Sequence, residues 1–129
     1  MRWRATVARV GALTQDWLVR LEPGRVAFNR GAYFEAHELW EDVWRTREGG
    51  ERSFVQGLIQ IAAGLHHLQQ NRPRPAASLL RKGLEKVARG GIVPSARLRI
   101  RTLTRDVERL LAALDRPSRK MTAPGSPKL

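Results

Sequence analysis

The sequence contains no cysteine, which excludes disulfide bonds, thiolate metal sites and cysteine nucleophiles. It also lacks an apolar run of about 18 residues, the length needed to cross a membrane, and its first residues do not resemble a secretory signal. The 129 residues provide one modest hydrophobic core, which excludes a multidomain enzyme. We therefore expect a single cytoplasmic domain that does not enter a membrane.

The alternation of apolar and polar residues that marks a β-strand is absent as well. Proline and glycine instead divide the chain into segments with apolar residues at helical spacing, which predicts an all-α array of five or six helices. The predicted helices cover about residues 3–21, a short piece ending at Gly31, and residues 32–46, 51–70, 76–89 and 96–114. We expect one domain over residues 1–115 and, because prolines replace any apolar pattern, a disordered basic tail over residues 116–129.

The segment at residues 51–70 is apolar around nearly its whole circumference, which is typical of a buried central helix. Gly57 and Gly64 are seven residues apart and lie on one stripe of this helix, so a neighbouring helix is expected to approach closely there. One polar strip remains, because Gln56, Gln60 and His67 fall within about 40° of one another on the helical wheel. An unpartnered buried amide or imidazole costs about 1 to 3 kcal/mol, so these side chains require a polar partner.

The helix at residues 32–46 offers that partner. His37 and Glu41 are one turn apart on the same face, between aromatic residues. The short connection around Gly49 predicts antiparallel packing, which places His37 and Glu41 level with Gln60 and Gln56. Glu38 belongs to the neighbouring acidic face.

Three interpretations of this arrangement are open. The residues could form a structural hydrogen-bond network. They could instead line a cleft for a small polar ligand or a proton transfer, with His37 as base and Glu41 holding its tautomer. The aromatic residues Tyr33, Trp40 and Trp44 would then exclude water from Gln56, Gln60 and His67.

The third interpretation is a divalent metal site. The segment beginning at His37 resembles the H-E-x-x-H zinc helix, with Glu41 in the place of the second histidine and Glu38 as base. A third ligand would have to come from His66 or His67. These residues do not define a complete metal site, and the sequence assigns neither a cofactor nor an enzymatic reaction.

The same residues resemble a known family. Phe28-Asn29-x-Gly31-x-Tyr33-Phe34-Glu35-x-His37-Glu38-x-Trp40-Glu41-x-x-Trp44, followed by Gln56-Gly57-Leu58-Ile59-Gln60, is similar to the small all-helical prokaryotic family called domain of unknown function 309. The resemblance covers about residues 26–90 and includes the H-x-x-x-E-x-x-W motif at His37, Glu41 and Trp44. It implies a compact helical fold and a functional role for His37 and Glu41, without an established reaction.

The net charge of +12 is concentrated in the second half of the chain. Residues 72–129 carry fifteen Lys and Arg against four Asp and Glu, whereas residues 1–71 are nearly balanced. On the last predicted helix a row of arginines recurs every four residues, at Arg97, Arg101, Arg105 and Arg109. Such a row could track phosphates, so the alternative function is a non-catalytic module that binds nucleic acid without sequence specificity or another acidic partner. The acidic segment of a second copy would also fit, as a homo-oligomer.

Overall fold

The computed structural model describes residues 17–90, 99–115 and 126–129, and within these ranges it is all-helical, which confirms the predicted fold class. Residues 17–19 are also helical. The five helices that follow are α1 (Glu22–Asn29), α2 (Tyr33–Trp44), α3 (Gly49–Gln69), α4 (Pro73–Arg89) and α5 (Ile100–Leu114). Among the described residues no helix combines the length and the apolar character needed to cross a membrane.

The helix boundaries differ from prediction where prolines occur. We expected Pro23 and Pro73 to lie between helices, but Pro23 lies in the first turn of α1 and Pro73 opens α4. The first N–H groups of a helix have no intrahelical partner, so proline loses no hydrogen bond there. The last helix begins at Ile100 instead of residue 96, since Arg99 is not helical. The predicted helical residues 3–16 and 96–98 lie outside the described ranges.

Helix α3 occupies the centre, with α2 packed on one side and α4 on the other. Its buried side chains cover most of its circumference, as the apolar pattern predicts. They are Phe54, Val55, Leu58, Ile59, Ile61, Ala62 and Leu65.

Glycines allow α3 and α4 to approach closely, as the spacing of Gly57 and Gly64 predicts. A Cβ atom added to Gly57 would lie 2.7 Å from the carbonyl oxygen of Gly83, and one added to Gly83 would lie 2.7 Å from the oxygen of Gly57. Gly50 faces Gly90 in the same way, at 2.6 Å. Backbone therefore meets backbone along this interface, and side chains larger than hydrogen do not fit at these contacts.

Trp40 anchors α2 to the beginning of the described chain. Its side chain is fully buried, and its indole Nε1–H donates a hydrogen bond to the carbonyl oxygen of Leu21 at 3.0 Å. The indole ring lies directly against Gly24, where any Cβ atom would collide with it. Trp40 is thus a packing residue.

Residues 126–129 pack against the helices. Leu129 is only 1% exposed and Pro127 is buried. The structure therefore differs from the expected disordered tail over these last four residues, while residues 116–125 lie outside the described ranges. The tail as a whole contains few apolar residues, so the sequence pattern did not predict the burial of Pro127 and Leu129.

Candidate functional site

His37 and Glu41 form a half-buried pair on α2. Nε2 of His37 lies 3.5 Å from Oε1 of Glu41, and the two side chains are 26% and 37% exposed. The other carboxylate oxygen, Oε2, lies 3.7 Å from Nη2 of Arg45, one turn further along the helix. The imidazole and the carboxylate are therefore neither fully buried nor free in solvent.

Helix α3 faces this pair in antiparallel orientation, as the short connection predicts. Near the connection the guanidinium carbon of Arg52 lies 3.8 Å from the centroid of the Trp44 ring. At the far end the rings of Phe34 and His66 are 5.3 Å apart. These two contacts fix the register of α2 against α3 and place Gln60 at the level of the His37–Glu41 turn.

Four polar atoms of these helices lack the partners that a structural hydrogen-bond network, one of the three interpretations, would give them. Nδ1 of His37 and Oε1 of Gln60 are buried and have no hydrogen-bond partner. Nε1 of Trp44 and Nδ1 of His67 are in the same state. Among the described residues, every buried side-chain nitrogen or oxygen without a partner therefore belongs to α2 or α3.

Aromatic rings flank the pair at one end. Phe34 is 53% exposed and its ring stacks on the imidazole of His37, with centroids 5.9 Å apart and planes 11° apart. The ring of His66 also contacts that of Phe34. The Phe34 ring thus contacts both imidazoles, and part of it is exposed to solvent beside them.

Two of the predicted aromatic walls lie elsewhere. Trp40 packs against Leu21 and Gly24, and Tyr33 packs edge-to-face on Phe28 with ring centroids 5.2 Å apart. Burial raises the pKa of Tyr33 above its ordinary value of 10.0, and a hydrogen bond with Ser126 opposes this shift. Glu38, a predicted catalytic residue, is exposed on the acidic face. The structure therefore pairs His37 with Glu41, and leaves Glu38, Trp40 and Tyr33 apart from this pair.

The ligands of the hypothetical metal site are not assembled within residues 17–90, 99–115 and 126–129. No three His, Asp or Glu side chains in these ranges lie close enough together to hold a metal ion. His66 contacts Phe34, and the described contacts do not bring it to Glu41.

Three residues of the predicted arginine row, Arg101, Arg105 and Arg109, lie on α5 and are exposed. The fourth, Arg97, lies outside the described residues. Arg105 lies 3.6 Å from the neighbouring Asp106. Arg101 and Arg109 form no ion pair within the described part of the chain.

Sequence reasoning did not identify Arg45 and Arg52 as part of this face. Arg45 could have been found, since it follows Glu41 by four residues on the same helix. Arg52 could have been found from the antiparallel register, which places it near Trp44. Both bring positive charge to the end of the α2–α3 face nearest the connection.

The comparison with family models gives one match in the region just described. Residues 21–79 match the family model described as Domain of unknown function (DUF309). This confirms the predicted resemblance over α1, α2, α3 and the beginning of α4. The match includes His37, Glu41 and Gln60 and excludes α5 and residues 126–129.

A curated relative, an uncharacterized protein of Aquifex aeolicus (strain VF5), is 30% identical over 69 residues. The aligned part is 53% of this chain and 21% of that protein, so the chain spans about a fifth of the length of the relative it matches. No solved structure matches the chain significantly.

Proposed function

We propose that the face between α2 and α3 binds a small polar molecule that offers hydrogen-bond donors. The observation that supports this proposal is the set of buried polar atoms without partners, which are confined to these two helices in the described chain. Folded proteins leave few such atoms unsatisfied, and each costs about 1 to 3 kcal/mol. A bound molecule would recover that free energy by supplying the missing hydrogen bonds.

The chemistry of the ligand follows from the atoms that need partners. The amide Oε1 of Gln60 is an acceptor in any state. The carboxylate of Glu41 lies on the Nε2 side of His37 and favours the tautomer protonated at Nε2, which leaves Nδ1 as an acceptor. Two acceptors call for a ligand with hydroxyl, amide or amine groups, and the indole N–H of Trp44 is suited to bind an oxygen atom of that ligand.

The same arrangement would also suit proton transfer. An imidazole whose second nitrogen is held by a carboxylate is the usual form of a general base. In this extension of the proposal, Nδ1 of His37 would take a proton from a bound hydroxyl or amine, while Glu41 would stabilise the charge that develops on the ring. The exposed Glu38 has no part in it.

The proposal is tested by screening small hydroxyl and amide compounds, among them glycerol, ethylene glycol and acetamide, against protein with labelled histidine and glutamine side chains. We expect a binding compound to shift the NMR signals of the His37 ring and the Gln60 side-chain amide, and to raise the melting temperature. The His37→Ala variant should lose both effects. A matched His66→Ala variant removes the other imidazole that contacts Phe34 and should keep them.

Water is the competing occupant of this face. Two results together would show that the binding proposal is wrong. In the first, no compound in the panel shifts the His37 and Gln60 signals more than those of exposed glutamines such as Gln70. In the second, a crystal structure shows ordered waters hydrogen-bonded to the four unpartnered atoms. The face is then a hydrated helix interface.

A second candidate is phosphate binding by α5, favoured by the two exposed and unpaired arginines Arg101 and Arg109. RNA retention at low salt should fall steeply as salt rises, and the double variant Arg101→Ala/Arg109→Ala should flatten that dependence. The control Arg20→Ala/Arg45→Ala removes the same charge from other surfaces and should leave the slope unchanged. Absence of retention at low salt excludes this function.

A further inference from the structure

Residues 126–129 lie in a groove bounded by the end of α1, the beginning of α2, and helices α3 and α5. The groove contacts this segment through both backbone and side chains. The backbone N–H of Leu129 donates to Oδ1 of Asn29 at 2.7 Å, and Nζ of Lys128 donates to the carbonyl oxygen of Asn29, also at 2.7 Å. Ser126 forms a hydrogen bond with Tyr33.

Each of these contacts favours a particular kind of chemical group in the bound segment. Asn29 is the last residue of α1, so its carbonyl lies at the negative end of the helix dipole and favours an ammonium group. The buried position of Leu129, next to that ammonium, favours a bulky aliphatic side chain. The amide of Asn29 accepts a main-chain hydrogen bond, which any extended peptide can supply.

The segment does not fill its groove. A cavity of about 230 Å³ remains beside Ser126 and Pro127, lined by Leu65, Leu68 and Leu110 among others. This cavity is open to solvent on one side, so the segment lies in a surface groove that has room for additional atoms. The segment therefore resembles a docked ligand more than a part of the core.

We propose that this groove is a peptide-binding site for a lysine followed by a bulky aliphatic residue, and that residues 126–129 are its tethered ligand. A partner protein that presents an extended segment of this chemistry displaces the tether and binds in its place. Because the tether belongs to the same chain, its effective concentration is in the millimolar range, and it competes strongly with partners in solution.

The test uses the full chain and a fluorescent peptide in trans. The peptide has the sequence of residues 124–129, with the dye at its first residue and an amide at its end, so that terminal charges do not contribute. Two variants release the tether: Leu129→Asp places a charge in the apolar position, and Lys128→Glu opposes the carbonyl of Asn29. We expect both variants to bind the peptide at least about tenfold more tightly than the unmodified protein does, because the competing tether is removed.

Two controls connect the binding to the groove. Adding Asn29→Ala to either variant should remove peptide binding while the helical circular dichroism signal is kept. A peptide with glutamate in place of the lysine should not bind to either variant.

Three results would overturn the proposal. They are a helical variant that does not bind the peptide at millimolar concentration, binding that survives Asn29→Ala, and equal affinity for the unmodified protein and both variants. Since His37 and Gln60 lie outside the groove, these results are independent of the ligand screen described above.

Discussion

The contact between α3 and α4 is closely packed, whereas the polar residues of α2 and α3 include buried atoms without hydrogen-bond partners. Toward α4, Gly50 and Gly57 bring backbone against backbone, so that an added Cβ atom would lie only 2.6 to 2.7 Å from a facing carbonyl oxygen. Elsewhere on the same helix, Gln60 and His67 have buried polar atoms that lack partners. At about 1 to 3 kcal/mol each, the four unpartnered atoms on α2 and α3 represent a substantial fraction of a typical folding free energy of about 5 to 15 kcal/mol. The contact with α4 is thus specified by packing, whereas the polar residues of α2 and α3 include groups that reduce stability, as functional sites commonly do.

The largest effect is expected on the packed side. In Gly57→Ala the new Cβ would meet the backbone of Gly83 and Val87 at 2.7 Å, and neither can move without shifting α4. Overpacking costs about 3 kcal/mol at such a site, and the better helix propensity of alanine returns about 1 kcal/mol. We expect the free energy of unfolding to fall by about 2 kcal/mol in a urea titration.

Gly64→Ala is the matched control. Its nearest neighbours are Leu80 side-chain atoms at 2.9 and 3.1 Å and the oxygen of Ala76 at 3.0 Å, and a leucine side chain can adjust. The strain and the propensity gain should nearly cancel. Equal losses at Gly57 and Gly64 would show that the backbone contact does not decide the outcome.

The next largest effect separates two tryptophans on α2. Trp40→Phe removes the hydrogen bond from Nε1 to the carbonyl oxygen of Leu21, which keeps only its bond from the N–H of Arg25, and leaves a void at a fully buried position. Stability should therefore fall by about 1.5 kcal/mol relative to Trp44→Phe. Trp44→Phe removes a buried N–H that has no partner, and should be close to neutral. The urea midpoints of the two variants measure this difference. A larger loss at Trp44 would mean that its N–H has a partner in solution.

Replacing Gln60 tests the polar side directly. Gln60→Met keeps the size of the side chain and removes an unsatisfied buried oxygen, so the unliganded protein should gain about 1 kcal/mol of stability. Any stabilisation by a polar compound should disappear in the same variant. Gln69→Met is the control, because Nε2 of Gln69 donates to the oxygen of Gly31 at 2.9 Å and its loss should destabilise slightly. A loss of stability in Gln60→Met would show that Gln60 is satisfied.

The smallest effect concerns the His37–Glu41 pair. A double-mutant cycle with His37→Ala and Glu41→Gln should give a coupling of about 0.3 to 0.5 kcal/mol, the value usual for half-exposed pairs one helical turn apart. A coupling well above about 1 kcal/mol would favour the structural network over a binding site.

Several features of the fold could be predicted because they depend on periodicity along the chain. The apolar circumference of α3, the stripe of Gly57 and Gly64 and the antiparallel register of α2 are of this kind. The sequence analysis did not predict that Pro23 and Pro73 lie in the first turns of helices. A proline that ends one helix and a proline that opens the next look the same in the sequence.

The candidate site was predicted in part. The spacing of His37 and Glu41 places them on one face, where the structure shows them as a pair. The placement of Gln60 opposite them stays a prediction. The spacing did not distinguish Trp40 from Trp44, although one is fully buried against Leu21 and the other lies half-buried beneath Arg52. That difference depends on which neighbouring segment covers each indole, and a helical wheel carries no such information.

The sequence by itself determined an all-α fold and the faces of its helices, because a repeat of 3.6 residues sorts side chains without reference to other segments. The tertiary structure decided which polar atoms are left without partners and where residues 126–129 dock. Both depend on distances between segments far apart in the chain, such as Asn29 and Leu129, and these distances exist only once the helices have packed.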